Sequence, residues 1–342
     1  MIHPIRPFCI SIGLLLCAVT GCGEKAYVQI DGQTMGTDYI IKYEGGVKET
    51  TAHIEEGVER QLEIIDALMS TYRSDSEISR FNASRAVHEP FPVSFETAVV
   101  VAESKRIHAL TEGGFDITVA PLVMLWGFGA NGREMRIPDE EEIAEQRGKT
   151  GMDNLSIVSQ GNGGYALIKK IPELAIDLSA IAKGYAVDRV AAVLDAQDIH
   201  NYMVEIGGEV RARGKNERGE TWRIGIEHPS PNNDKNILEV VILKDEALAT
   251  SGNYRHYFEQ GGRRYSHTID PRTGAPVRDE LVSVSIVAPL CMRADALATG
   301  LSALSLKDAL RIADSLNIPV LIAEEGPELE LYFSKAFLER RK

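Results

Sequence analysis

Cysteine is scarce and poorly placed for crosslinking. The chain has four in 342 residues, and three of them, Cys9, Cys17 and Cys22, stand at its N-terminal end. Once a leader is removed, Cys291 is the one cysteine in the body, so no disulfide can close within the chain and no cysteine-rich metal site can form. Cys291 itself reads as a small buried hydrophobe. Basic charge is short as well: 37 Lys and Arg against 50 Asp and Glu leave a net charge of −13. A nucleic-acid binder carries a basic face, so that class is not expected. Beyond the N-terminal run no stretch is apolar and long enough to cross a bilayer. There is no Walker lysine motif, no dinucleotide Gly-rich fingerprint, no repeat period and no low-complexity linker. The apolar and charged fractions, 44% and 25%, are those of a globular protein.

The first residues read as an address rather than as part of the fold. Arg6 gives a positive start, Phe8 to Val19 is apolar apart from Ser11, and the run ends in Val19-Thr20-Gly21-Cys22. A dozen apolar residues is too short to span a membrane, and small residues before a cysteine form a lipoprotein signal. Residues 1–21 are therefore expected to be a signal peptide and Cys22 the lipidated first residue of a mature chain, 22–342. The alternative is an ordinary secretory signal with an incidental cysteine. A lipid anchor implies a periplasmic protein on a bacterial membrane. Cys22 has no following Asp to mark inner-membrane retention, so either membrane remains open, the inner being preferred.

Along the body, Tyr27–Ile30 and Tyr39–Tyr43 read as strands around a Thr34-Met35-Gly36-Thr37 turn. Ile54, Val58, Leu62, Ile65 and Leu68 form a helical stripe across Thr51–Met69. Ser94–Leu110, Gly184–Ala196, Ala294–Leu304 and Leu306–Ser315 read as helices. Strands are expected at Ala166–Lys170, Ala175–Leu178, Tyr202–Ile206, Trp222–Glu227, Glu239–Lys244, Tyr265–Ile269, Val282–Ala288 and Val320–Ala323. Helices and strands are interspersed without regular βαβ alternation, and Pro229–Lys235 reads as a surface loop rather than a boundary. The expected architecture is one compact α+β domain.

Three segments carry chemistry. Asp295 and Thr299, four apart on a helix, share a face. Two hard oxygen donors there suit Mg²⁺, which completes its shell with substrate phosphates; the bland alternative is a surface acid and a packing hydroxyl. Ser266-His267-Thr268-Ile269-Asp270-Pro271 brings an imidazole and a carboxylate around a stiff turn, unless His267 is simply a hydrogen-bonded strand residue. Asp177-Leu178-Ser179-Ala180-Ile181-Ala182-Lys183-Gly184-Tyr185 enters a helix whose first amides suit a phosphate, with Lys183 adding charge. There the alternative is Ser179 capping the helix and Lys183 in solvent. Tyr72 and Trp126 are equally open to a core role, and Glu205 to ending a strand.

Taken in order, Thr34–Thr37, Phe115-Asp116-Ile117-Thr118 with Pro121 and Trp126-Gly127-Phe128-Gly129, Asp177–Tyr185, Glu205-Ile206-Gly207-Gly208-Glu209, Ser251-Gly252-Asn253-Tyr254, Ser266–Pro271 and Asp295–Gly300 resemble the successive motifs of the ApbE family. The resemblance implies a lipid-anchored periplasmic flavinyltransferase of T-fold-like α+β architecture. Such an enzyme uses Mg²⁺ to split FAD, passes FMN to a threonine or serine hydroxyl of a target protein, and releases AMP. Targets in the family include subunits of sodium-pumping NADH:quinone reductase and of the Rnf complex. Asp295 and Thr299 match the side-chain metal ligands, with Ala180 and Ala298 beside them through backbone carbonyls. Met35, Tyr72, Gly114, Phe115, Asp116, Asp177 and Lys183 match FAD-contacting positions, and His267 and Ile269 lie along the cofactor. Lys183 stands where some members have an acidic residue. On this reading His267 is the base or positioning group for the acceptor hydroxyl, Asp177 orients the adenosine half of FAD or assists the metal site, and the cleft is open to a protein substrate. An FAD pyrophosphatase and a non-catalytic flavin-binding lipoprotein are the competing expectations.

Overall fold

A two-residue hairpin opens the fold. Met35 and Gly36 both take positive φ, +50° and +74°, the conformation that matches the twist of flanking antiparallel strands. The strands it joins are Tyr27–Thr34 and Thr37–Glu44. The computed structural model describes residues 26–45, 48–130, 135–161, 163–229, 236–253, 257–277, 281–326 and 328–341. The expected signal peptide with Cys22, Tyr254, His256 and all but the start of the Pro229–Lys235 loop lie outside the described residues.

The hairpin begins an eight-stranded sheet that continues through Tyr202–Ile206, Glu209–Arg213, Glu246–Gly252, Leu281–Ala288, Val320–Glu324 and Glu330–Phe333, each pair of neighbours antiparallel. Strand alternation divides its side chains between two cores. Val204, Ile206, Ala247, Ala249, Val284, Ile286 and Ile322 meet the helices. Val210, Ala212, Leu248, Val287 and Leu321 meet the Trp222–Glu227 and Ile237–Leu243 hairpin on the opposite face. Leu281–Ala288 is buried at every position because both its faces are covered. The helix Lys48–Met69 lays Ile54, Val58, Leu62 and Ile65 of the expected stripe into the first core; Leu68 packs half-buried against it, and Met69 is the fifth residue buried there. The α+β single-domain expectation agrees with this architecture. No helix among the described residues is long and apolar enough to cross a membrane.

One expected strand is absent and another is interrupted. Ala175–Leu178 is buried but joins no ladder, because the Asn82 side chain accepts from the Ile176 N–H and donates to the Ile176 carbonyl, both at 2.8 Å. The Asp177 N–H donates to the Ile117 carbonyl at 2.7 Å. Side-chain and loop partners thus satisfy backbone groups that a strand would have paired. Tyr265–Ile269 is broken at His267: Arg263–Ser266 pairs with Tyr257–Gln260, and Ile269–Asp270 with Ala275–Pro276.

The register also sets the polarity of the sheet. The Met35 turn, the Gly207-Gly208 turn, the end of Glu246–Gly252 and the start of Leu281–Ala288 gather at one end. Their closeness is direct at Gly207, whose N–H donates to the Asp38 carbonyl at 3.0 Å. The loop that carries His267 is tied to this end through Asn253, which follows Gly252 and whose Oδ1 accepts the Ser266 hydroxyl at 2.8 Å.

Candidate functional site

The helices Ala182–Asp195 and Cys291–Ser302 cross at the heart of the site. Neither has a side-chain cap from its own N-cap residue, Ile181 or Leu290. Each is capped by the other. Asp295 Oδ2 accepts the Gly184 N–H at 2.9 Å, and the Asp188 carboxylate accepts the Cys291 and Met292 N–H groups, both at 3.0 Å. A carboxylate at a helix N-terminus satisfies orphan donors and complements the dipole. The crossing is close because Gly184 has no side chain: a Cβ there would lie 2.5 Å from the Cys291 carbonyl oxygen and 2.8 Å from Asp295 Cβ. Gly184→Ala is therefore expected to cost about 3 kcal/mol of stability, within the range for overpacked interiors. The measurement is the urea unfolding midpoint, and an unchanged midpoint would contradict the packing argument.

Gly184 is the third residue of its helix, so its N–H is one of the orphan donors of the first turn, and Asp295 satisfies it. Ala180 lies just ahead of that helix, half-buried, and Asp295 is only 5% exposed. Thr299 follows Asp295 by one turn, with Ala298 buried next to it. The Asp295 carboxylate, the Thr299 hydroxyl and the Ala180 and Ala298 carbonyls would make an oxygen-only donor set. It suits Mg²⁺, which binds through one or two carboxylates and keeps sites for phosphate and water. Among the described residues no cluster of three or more His, Cys, Asp or Glu side chains offers an all-protein cage.

The electrostatics agree with a site built for a cation. Burial raises the Asp295 pKa above the usual carboxylate range, against the opposing pull of Lys183 and the Gly184 N–H. Lys183 is not in solvent, as the bland reading had it: its Nζ lies 2.6 Å from Glu209 Oε2. Burial pulls the Lys183 pKa down, but Glu209 and Asp295 outweigh it and hold the ammonium charged. Glu209 is pushed up to about 7, chiefly by burial and further by Asp295. Burial disfavours the anionic form of both carboxylates, a cost that a divalent ion beside Asp295 would offset.

The loop expected to contact FAD packs directly on this helix. A Cβ at Gly114 would fall 2.4 Å from the Gly300 carbonyl oxygen, and one at Gly300 would fall 2.9 Å from Phe115 Cβ. Phe115 is buried. Asp116 Oδ1 accepts from the Thr118 N–H at 2.7 Å and the Thr118 hydroxyl at 2.6 Å, which starts a 3₁₀ turn. His108 Nδ1 lies 2.8 Å from the Phe115 carbonyl and 3.7 Å from Asp116 Oδ2. Asp177 turns the chain toward Ala180 by accepting the Ser179 N–H at 2.8 Å and hydroxyl at 2.5 Å on one oxygen. Ser179 is thus a partner of Asp177 and not the helix cap.

His267 stands in the break between two short strand pairs, edge-on to Phe128 with ring centroids 6.5 Å apart. Ile269 is buried with Leu122 and Trp126 in a small core, and Trp126 Nε1 donates to the Gly274 carbonyl at 2.9 Å. The far side of the histidine loop is fastened to the helix end. Arg272 forms a forked pair with Asp270, two bonds of 2.9 Å, and donates to the Ala303 carbonyl at 2.7 Å. Met35 sits half-buried at the hairpin tip. Tyr72 is 74% exposed, which removes its core alternative and leaves a large aromatic surface in solvent.

Glu209, Asp188 and His108 received no role from the sequence. Glu209 stood in a quoted motif, at the first strand position after Gly207-Gly208, where a charged side chain turned into the sheet is a visible anomaly. Asp188 acts on residues 103 positions away, and nothing local signals that.

The chain can be set beside known proteins at this point. The sequence profile of the ApbE family matches residues 35–322. The FAD:protein FMN transferase of Vibrio cholerae serotype O1 is 45% identical over 337 residues, covering 97% of this chain and 98% of that one. The FAD:protein FMN transferase of Escherichia coli K12 is 38% identical over 338 residues, 95% of each chain. The solved structure of the flavin transferase ApbE from Vibrio cholerae aligns with a TM-score of 0.82 over 92% of this chain and 99% of that one. A family profile that spans most of the sequence, full-length relatives and a shared three-dimensional framework have one reading: this chain belongs to the ApbE family.

Proposed function

We propose that this protein transfers FMN from FAD to a threonine or serine hydroxyl of a target protein, with Mg²⁺ as the required ion and AMP as the leaving product. The observation that carries the reading is the crossing of Ala182–Asp195 and Cys291–Ser302. It brings the buried Asp295 carboxylate onto the Gly184 N–H, in the first turn of the helix that follows Ala180. Relatives named FAD:protein FMN transferase support the reaction class.

Ala180, Asp295, Ala298 and Thr299 would hold the ion. The chemistry a bound Mg²⁺ supplies is neutralisation of charge on the pyrophosphate oxygens. Lys183, held by Glu209, keeps a fixed positive charge beside Asp295. Exposed Tyr72 offers a stacking face for the flavin ring. Met35, Gly114, Phe115, Asp116, Asp177 and Ile269 shape the rest of the FAD surface. His267 accepts the proton of the acceptor hydroxyl. The acceptor oxygen then bonds to the FMN phosphorus while the bond from that phosphorus to the AMP oxygen breaks. A protein acceptor has to reach that phosphorus in line, opposite AMP.

The apolar N-terminal run and Cys22 support export and lipid anchoring, which places the domain on the periplasmic side of a bacterial membrane. Flavin-carrying membrane redox subunits, such as those of sodium-pumping NADH:quinone reductase or Rnf, are the corresponding targets. The test is incubation of the full chain with FAD, Mg²⁺ and a threonine-containing acceptor, read by mass spectrometry. The expected result is an acceptor heavier by one FMN phosphoryl group, with AMP released in equal amount. Free FMN with an unmodified acceptor would make the protein a pyrophosphatase, and FAD retained intact would make it a flavin carrier.

A further inference from the structure

The Ser251-Gly252-Asn253 segment has no part in the reading above, yet it touches both halves of the site. Asn253 extends the Glu246–Gly252 strand by one residue: its N–H donates to the Val282 carbonyl at 3.1 Å. Its side chain is buried and fully engaged. Nδ2 donates to the Leu281 carbonyl at 3.0 Å, and Oδ1 accepts the Ser266 hydroxyl at 2.8 Å. Ser266 Oγ in turn accepts the Thr268 N–H at 3.1 Å, and the Thr268 carbonyl accepts the Val277 N–H at 2.9 Å. His267 lies between Ser266 and Thr268, so its backbone is held on both sides, at Ser266 by Asn253 and at Thr268 by Ser266 Oγ and Val277.

Ser251 stands two residues earlier, on the same face of the strand. Its Oγ is 3.4 Å from Ser302 Oγ. The Ser302 hydroxyl donates its single hydrogen to the Thr299 carbonyl at 2.8 Å, so Ser251 is the donor between the two serines. One strand end thus grips the turn that carries Thr299 and, about 7 Å further along, the loop that carries His267.

We propose that Asn253 is a positioning residue for His267, and that Ser251 and Asn253 together fix the spacing between the histidine loop and the Cys291–Ser302 helix. The inference rests on the reading of His267 as the proton acceptor. Asn253 meets no substrate; it acts by holding the backbone around the imidazole.

The test is kinetic and uses the full chain with FAD, Mg²⁺ and an acceptor protein. Asn253→Ala is expected to lower kcat about 100-fold, the scale of a misplacement near 1 Å, with KM for FAD and the Mg²⁺ dissociation constant changed less than about twofold. Asn253→Asp keeps the oxygen that accepts from Ser266 and is expected to retain more of the rate. In a His267→Ala background, Asn253→Ala is expected to cause no further loss. Ser266→Ala breaks the same chain one link later and carries the test if the asparagine variants do not fold. A raised KM for FAD with kcat intact, or losses that multiply in the double variant, would overturn the proposal. A His267→Ala protein with full transfer would instead remove the proton-acceptor reading, and the proposal with it; an acceptor left unlabelled by the unmodified protein would point to the reaction class itself.

Discussion

Asp295→Ala is expected to abolish Mg²⁺-dependent transfer of FMN, a loss on the order of 10³-fold or more, the rate equivalent of about 4 kcal/mol of charge stabilisation. The alanine variant confounds two effects. It removes the proposed ligand and also strips the Gly184 N–H of its acceptor, and an orphaned buried donor costs about 1–3 kcal/mol by itself. Asp295→Asn separates them. The amide oxygen can still accept from Gly184, while the charge that burial disfavours is gone. This variant is expected to be as inactive as the alanine protein but to unfold at a temperature equal to or above that of the parent. Calorimetric titration is expected to show Mg²⁺ binding lost in both. Full transfer by either variant, or undiminished Mg²⁺ affinity, would remove Asp295 from the proposed ion site.

The second large effect is expected at His267. A positioned proton acceptor contributes about 10²–10⁴-fold, so His267→Ala should lower the transfer rate by that amount. FAD affinity, measured by flavin fluorescence, should fall much less, because in the proposed mechanism the imidazole serves the acceptor hydroxyl. Ser266, Thr268 and Arg272 hold the loop through hydrogen bonds of their own. The variant is therefore expected to fold normally. Equal losses in FAD binding and in transfer would turn His267 into a binding residue and leave the proton acceptor to be found elsewhere.

Much of this was legible before any coordinates. The stripe of Ile54, Val58, Leu62 and Ile65 announced its helix, because a 3.6-residue period has one structural meaning. Met35-Gly36 announced a hairpin, and Asp295 and Thr299 announced a shared helical face. Failures occurred where a side chain replaced a backbone partner. Ala175–Leu178 carried the composition of a strand, but Asn82, 94 residues away, took over its hydrogen bonds. For Lys183 and Ser179 the pattern leaves open a solvated base and a helix cap, and the structure removes that alternative: both are bound by carboxylates the local pattern did not assign, Glu209 and Asp177. Asn253 was visible as a motif but mute as to purpose, since its partners Ser266 and Leu281 become neighbours only when three strands have assembled.

Mutual capping of the two crossing helices bears on when the protein becomes competent. The carboxylate that starts the earlier helix lies 111 residues downstream of the amide it serves, and the return bond spans 103. Loops of that length close late, after shorter contacts have formed. A chain emerging from synthesis or export therefore has no half-formed site to offer: until about the last seventh of the polypeptide arrives, the Ala182–Asp195 helix lacks the acid at its head. Truncation before Cys291 should yield a product that binds neither ion nor flavin, so premature chains would not sequester either.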